Sequence, residues 1–165
     1  MGDSTRKTCR DKLGFSFDVL DCDSDDLSDL LFMYNTFFPE AVAQGLPPTA
    51  PAARLTWLTQ LLESGPNFAA IQDGRVIGHA ALLLERDCVD GEFLIFVGGP
   101  FRKRGIATDL TRCIVERALE LGLTSMWLTV EADNFRAIKL YKKFGFRFCQ
   151  SGCGERKMIA ELKKD

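Results

Sequence analysis

The run FLIFVGGPFRKRGIA, Phe93 to Ala107, decides the reading of this chain. An apolar segment, Phe93 to Val97, stops at Gly98-Gly99-Pro100. A short basic loop, Arg102-Lys103-Arg104-Gly105, follows, and a helical pattern opens directly behind it. Strand, tight turn, glycine-bearing basic loop and helix start together make an anion site. The first N–H groups of a helix have no intrahelical acceptor, and the helix dipole adds positive potential at the same point. Gly105 tolerates backbone conformations and close approaches that a Cβ would oppose. The expected ligand is a diphosphate.

Two common diphosphate signatures are excluded. The chain has no G-x-x-x-x-G-K-[ST] run and no G-x-G-x-x-G after a strand. It carries Arg-x-x-Gly-x-Ala over Arg102 to Ala107 and, further on, VEADNFRAIKLYKKFGF over Val130 to Phe146. The first resembles the R/Q-x-x-G-x-G/A motif of the GNAT superfamily of N-acetyltransferases. The second is similar to that superfamily's next block, N-x-x-A-x-x-L-Y-x-x-x-G-F, with Asn134, Ala137, Leu140, Tyr141, Gly145 and Phe146 in register. Two motifs in order, one helix and one strand apart, are far more specific than either alone. The resemblance implies a GNAT fold of the α/β (α+β) class: a mixed sheet of six to seven strands, helices on both faces, and a splayed parallel strand pair that holds acetyl-CoA.

The hydrophobic patterning agrees with that order. Phe15 to Leu20 alternates as a strand, and Ser24 with Asp25 and Asp26 opens a helix to about Phe37. A Pro47/Pro48/Pro51 loop leads to a helix over Ala52 to Leu62, with Leu55, Leu58 and Leu62 as its apolar stripe. Phe68 to Ile71, the Asp73-Gly74 turn and Val76 to Leu84 predict a β-hairpin. Further strands are predicted over Glu92–Val97, Ser125–Glu131, Phe146–Cys149 and Lys157–Leu162. Helices fill about Arg104 to Leu121, where Ala107, Leu110, Ile114, Ala118 and Leu121 recur at three and four, and Asn134 to Phe144. Residues 1–13 are polar and expected to be a disordered tail, with 14–165 as one acetyltransferase domain.

Composition bounds the partners. A chain of 165 residues, 46% hydrophobic and 27% charged, fits one globular domain. A formal net charge of −2 argues against a nucleic-acid partner. No stretch has the roughly 18 apolar residues of a membrane span. The N-terminus is not signal-like, and Arg6 spoils a myristoylation motif. Six scattered cysteines, Cys9, Cys22, Cys88, Cys113, Cys149 and Cys153, form no CxxC pair, and a single histidine leaves zinc few ligands. No metal is expected, and reduced thiols in a cytoplasmic protein are; Cys113 reads as a small buried hydrophobe. Oligomeric state is not readable.

By resemblance, the cofactor's pantetheine arm pairs with the strand at Ile95, Phe96 and Val97, and its diphosphate lies on the loop and helix start, Arg102, Lys103, Arg104, Gly105, Ile106, Ala107 and Thr108. Lys139, Lys142, Lys143, Arg112 and Arg117 add basic charge nearby, each as readily a solvated helix face as a phosphate contact. Asn134 matches a residue that contacts the pantetheine region and also reads as a helix N-cap. Tyr141 matches the family's general acid: a phenol of pKa ~10 can protonate a departing thiolate. Against this stands a packing tyrosine with a wet hydroxyl.

An acceptor amine near pKa ~10.4 needs a base, because reaching its neutral form at pH 7 costs about 4–5 kcal/mol. Glu92, Asp90, Glu85 and Glu131 stand near strand ends. Gly91-Glu92-Phe93-x-x-x-Val97 looks like the A-E-F/V-x-x-x-V stretch of bacterial protein lysine acetyltransferases, whose glutamate is the base, and Phe37-Phe38-Pro39 is faintly similar to the same group. Glu92 is therefore the expected base, against a surface glutamate opening a strand. His79, alone on a mid-sheet strand, reads more readily as satisfied core. Three functions stay open: acetylation of a protein lysine or N-terminus, acetylation of a small amine, and a non-catalytic acetyl-CoA-binding regulator. The Asp-rich early chain, Asp18 to Asp29, slightly favours a cationic acceptor.

Overall fold

The computed structural model describes residues 5–36, 47–149 and 156–163. Phe37-Phe38-Pro39, the expected last residue of the first helix and Cys153 lie outside them.

Among the described residues, eight strands make one sheet: β1 (Arg6–Arg10), β2 (Ser16–Asp21), β3 (Asn67–Gln72), β4 (Arg75–Leu84), β5 (Asp90–Val97), β6 (Ser125–Val130), β7 (Arg147–Phe148) and β8 (Arg156–Glu161). Their order is β1-β2-β3-β4-β5-β6-β8-β7, and every pairing is antiparallel except β5 with β6. The α-helices among the described residues are α1 (Leu27–Asn35), α2 (Pro51–Glu63), α3 (Ile106–Glu120) and α4 (Phe135–Lys143).

The mixed sheet was expected with six to seven strands and has eight. The additional strand is β1, in the segment expected to be disordered. Arg6–Arg10 pairs with Ser16–Leu20 in full register, and Arg6 reaches Asp18 at 2.8 Å. Its alternating exposed and half-buried residues suit an edge strand, and the charges on Arg6, Lys7 and Arg10 discourage further pairing there.

Both sheet faces are covered. Phe17, Phe68, Ala80, Leu82, Phe93 and the buried side of α3 form one core, joined by Ile138 and Tyr141 of α4. Leu30, Met33 and Tyr34 of α1, with Leu58 and Leu61 of α2, form the other against Ala69, Ala81 and Phe96. Central β4 feeds both, so its sequence is a continuous apolar run rather than an alternation. The α2 stripe differs from expectation: Leu61 is buried and Leu55 is 44% exposed, because α2 turns its Leu58–Leu61 edge to the sheet.

Most of the early acids are used within the fold. Asp21 pairs with Arg117 at 3.1 Å, and Asp23 and Asp26 form a reciprocal capping box ahead of α1. With Asp18 on Arg6, two of the six early acids are ion-paired, which reduces the charge expected to attract a cationic acceptor.

Candidate active site

The parallel pair decides the site. β5 and β6 are paired at Asp90–Ser125, Gly91–Met126 and Glu92–Trp127, and no further, although both strands continue. Past Glu92 they part, and a cleft of about 840 Å³ opens between them. Phe93 to Val97 form one wall and Thr129 to Glu131 the other. On its far side β5 stays paired with β4, so only the cleft edge of its backbone is released.

At one end of the cleft stands the N-terminus of α3. Gly105 is its N-cap at φ 89°, a left-handed geometry that glycine adopts without strain, and no side chain caps the helix. A Cβ there would meet only Lys12 methylenes at 3.7 and 3.8 Å, so backbone conformation, not space, calls for glycine. The amides of Ile106 and Ala107 have no partner among the described residues, whereas Thr108 gives its amide to the Gly105 carbonyl at 3.1 Å. The side chain of Ile106 is buried, so that residue offers the cleft only its backbone.

The expected cofactor residues divide. Ile95, Phe96, Val97, Arg102, Lys103, Gly105, Ile106, Ala107, Thr108, Asn134 and Tyr141 all line the cleft. Arg104, expected among them, is not on the cleft lining. Its guanidinium turns away to Asp11, with Nε 2.8 Å from Oδ2 and Nη2 on the same oxygen, and it lies over the rings of Phe15 and Phe101. Arg102 donates from Nε to the Val97 carbonyl at 3.1 Å, tying the loop to the strand end. Of the surrounding basic residues, Lys139 and Lys143 line the cleft. Arg112 and Arg117 instead pair with Asp109 and Asp21, and Lys142 lies over Phe148.

Sequence reading missed Lys12, Phe101 and Arg136 as cleft residues. The signal for Lys12 was present: Asp11-Lys12-Leu13-Gly14 separates two alternating segments, a turn composition.

Asn134 caps α4, its Oδ1 accepting from the Ala137 amide at 3.2 Å, which leaves its NH2 group uncommitted by the cap, and the residue also lines the cleft. Tyr141 is 9% exposed, packs edge-on to Phe93 at 6.1 Å, and its hydroxyl has no partner among the described residues. Burial raises its pKa to about 12, which keeps the proton on.

Glu92 stands off the cleft wall. Strand alternation puts it on the α1–α2 face with Leu94 and Phe96, opposite Phe93 and Tyr141. Desolvation raises its carboxyl above the ordinary value; the nearby charge of Glu85 adds to the rise and Lys157 opposes it. Lys157 itself covers the ring of Trp127, the strand partner of Glu92, at 4.5 Å. Glu131 lies on the cleft wall.

His79 is fully buried. Asn67 donates to the carbonyls of Leu61 and Gly65, so its Oδ1 accepts from His79 Nε2 at 2.9 Å. Nδ1 is then the acceptor for the Tyr34 hydroxyl at 2.6 Å. Burial holds the His79 pKa down to about 3. A neutral, satisfied histidine joining α1 to the sheet is a structural element.

Residues 28–146 match the model of the Acetyltransferase (GNAT) family. The chain belongs to this family. Among curated relatives, it is 36% identical over 89 residues to the L-amino acid N-acetyltransferase AaaT of Escherichia coli (strain K12), covering 52% of this chain and 55% of that protein. It is 28% identical over 98 residues to the [Ribosomal protein bS18]-alanine N-acetyltransferase of the same organism, covering 58% and 64%. The chain thus aligns with little more than half the length of these relatives. In fold it is similar to the GNAT domain of S. lividans PAT, with a TM-score of 0.81 and 19% identity over 95% of this chain and 97% of that one. For a GNAT chain the parted β5–β6 pair and the uncapped α3 are where the sequence motifs predicted them. Among the described residues, no helix is long and apolar enough to cross a membrane.

Proposed function

We propose that this GNAT chain is an N-acetyltransferase that moves the acetyl group of acetyl-CoA directly to a primary amine. The observation that carries the reading is the parting of β5 from β6 beside the free amides of Ile106 and Ala107. An extended pantetheine arm can pair with the released edge of Ile95–Val97 like an added strand, while the helix start receives the diphosphate. Arg102 and Lys103 add positive charge at that end.

The two faces of β5 suggest a division of labour. Glu92, on the α1–α2 face, accepts a proton from the incoming ammonium, directly or through water, and its raised pKa suits a base near neutral pH. The amine nitrogen then attacks the thioester carbonyl. A C–N bond forms, the C–S bond breaks, and Tyr141 on the α3–α4 face gives its proton to the departing thiolate. The products are the acetylated amine and coenzyme A; the nitrogen sheds its second proton to water as the adduct collapses, water restores a proton to Tyr141, and the proton taken up by Glu92 is released to solvent, so one proton is released per turnover. Asn134 holds the pantetheine region by its free amide.

The acceptor is either a protein amine, a lysine or an N-terminus, or a small amine. The identity with AaaT, whose name specifies L-amino acids, supports the small-amine reading, and the ribosomal-protein enzyme supports the protein reading. Free-thiol release from acetyl-CoA, followed against panels of protein and small-amine acceptors, tests the proposal and separates the two. Coenzyme A binding without thiol release in the presence of any acceptor from either panel would favour a non-catalytic acetyl-CoA sensor instead.

A further inference from the structure

The turn between β1 and β2 is fastened to the anion loop at Arg104, through both its guanidinium and its backbone carbonyl. The Asp11 side chain is fully buried and takes the Arg104 guanidinium; its Oδ1 also accepts from the amides of Leu13 at 2.8 Å and Phe15 at 3.0 Å. The Lys12 amide donates to the Arg104 carbonyl at 2.9 Å. This places the exposed Lys12 side chain on the cleft wall beside Gly105, its methylenes 3.7 and 3.8 Å from where a Cβ of that residue would stand. Among the described residues the Lys12 ammonium has no ion-pair partner. The same cleft is also lined by buried Tyr141, whose hydroxyl has no partner among the described residues.

A loop that keeps Arg104 for Asp11 has lost one of its three cations to the fold. The turn that took it returns another in the same place. We propose that Lys12 is a diphosphate-binding residue, delivered to the anion loop by the β1–β2 turn, so that this N-terminal hairpin is part of the cosubstrate site. The inference rests on the acetyl-CoA reading above. An ammonium on a flexible stem is a point charge without fixed fork geometry, so it suits a diphosphate whose remaining oxygens are held by helix amides. The position next to Gly105, rather than at the outer rim, assigns it to the diphosphate and not to the 3′-phosphate of coenzyme A.

Calorimetric titration of coenzyme A and of 3′-dephospho-coenzyme A into wild type, Lys12→Gln and Lys12→Arg tests this. Lys12→Gln is expected to bind both ligands about tenfold more weakly at low salt, with the gap narrowing as salt screens the contact. Lys12→Arg is expected to keep most of the affinity, and neither variant to change its melting temperature. A loss confined to coenzyme A would overturn the assignment by moving Lys12 onto the 3′-phosphate. Unchanged affinity for both would overturn it outright. Wild type binding neither ligand would be a different result, the failure of the acetyl-CoA reading itself.

Discussion

Asp11 and Arg104 lie 93 positions apart in the chain and share a buried ion pair, closing the N-terminal turn onto the loop that opens α3. Burial alone would raise the Asp11 carboxyl; the hydrogen bonds from the Phe15 amide, Arg104 and the Leu13 amide outweigh it and hold the group below its ordinary value of 3.8. A lowered folded pKa means stability that is complete above pH 3.8 and is lost as pH falls through the folded value. Replacing Arg104 with Met strands a buried carboxylate. The melting temperature should fall by about 5–10 °C at pH 7, and the deficit should shrink as both proteins are taken well below pH 4. Thermal melts across pH check this; an equal deficit at every pH would dissociate the pair from stability.

Glu92→Gln removes the proposed base and keeps the side chain's shape. Turnover with an amine acceptor should drop about a hundredfold while affinity for coenzyme A is retained. In wild type the rate should rise with pH through a carboxyl value above the ordinary one, because only the ionised form accepts a proton. That limb should vanish from the variant's pH profile. A variant with unchanged turnover and the same limb would remove Glu92 from the mechanism.

Tyr141→Phe deletes one hydroxyl from a packed ring that Phe93 and Phe146 hold in place. The fold should be unaffected. The proton is fixed on the phenol up to about pH 12, so the group is competent as an acid throughout the usual assay range. Its loss should lower kcat about a hundredfold and leave KM for acetyl-CoA within about twofold. Steady-state kinetics decide the point: a change in KM alone would make Tyr141 a binding residue only.

The cofactor end of the site could be read from sequence because local chemistry fixes it. The glycines and proline after Val97 end a strand, Gly105 takes a left-handed dihedral, and Asn134 caps α4, each within a few residues of its cause. The β1–β2 hairpin was missed because Arg6–Arg10 is a polar edge strand whose partner, not its own sequence, makes it a strand. The placement of the Arg104 side chain was not legible for a related reason: the loop shows three cations, and nothing local tells which one a distant aspartate will claim. Leu55 and Leu61 changed places because either edge of α2 satisfies a helical period, and only the packing against Ala81 and Phe96 chooses.

His79 links α1 to the sheet through Tyr34 and Asn67, and its replacement should be costly without touching the chemistry. His79→Leu breaks the hydrogen bond to the Tyr34 hydroxyl and removes the donor to the buried Asn67 carbonyl, an expected loss of about 3 kcal/mol in unfolding free energy. The depressed pKa also sets a sign. Wild-type stability from this residue is complete above pH 6.5 and declines as pH falls toward about 3, since the unfolded chain takes up the proton first. Denaturant titrations at several pH values should show that slope in wild type and a flatter one in the variant. A variant as stable as wild type would mean that the network contributes nothing.

The central claim is that the first amides of α3 receive the cosubstrate's diphosphate beside the parted β5–β6 pair. Amide NMR of the ¹⁵N-labelled protein, titrated with coenzyme A, addresses those groups one by one. The account predicts saturable shifts largest at Gly105, Ile106 and Ala107, accompanied by Ile95 to Val97 on β5. No shift at these amides, with binding absent or mapped to another face of the sheet, would contradict it.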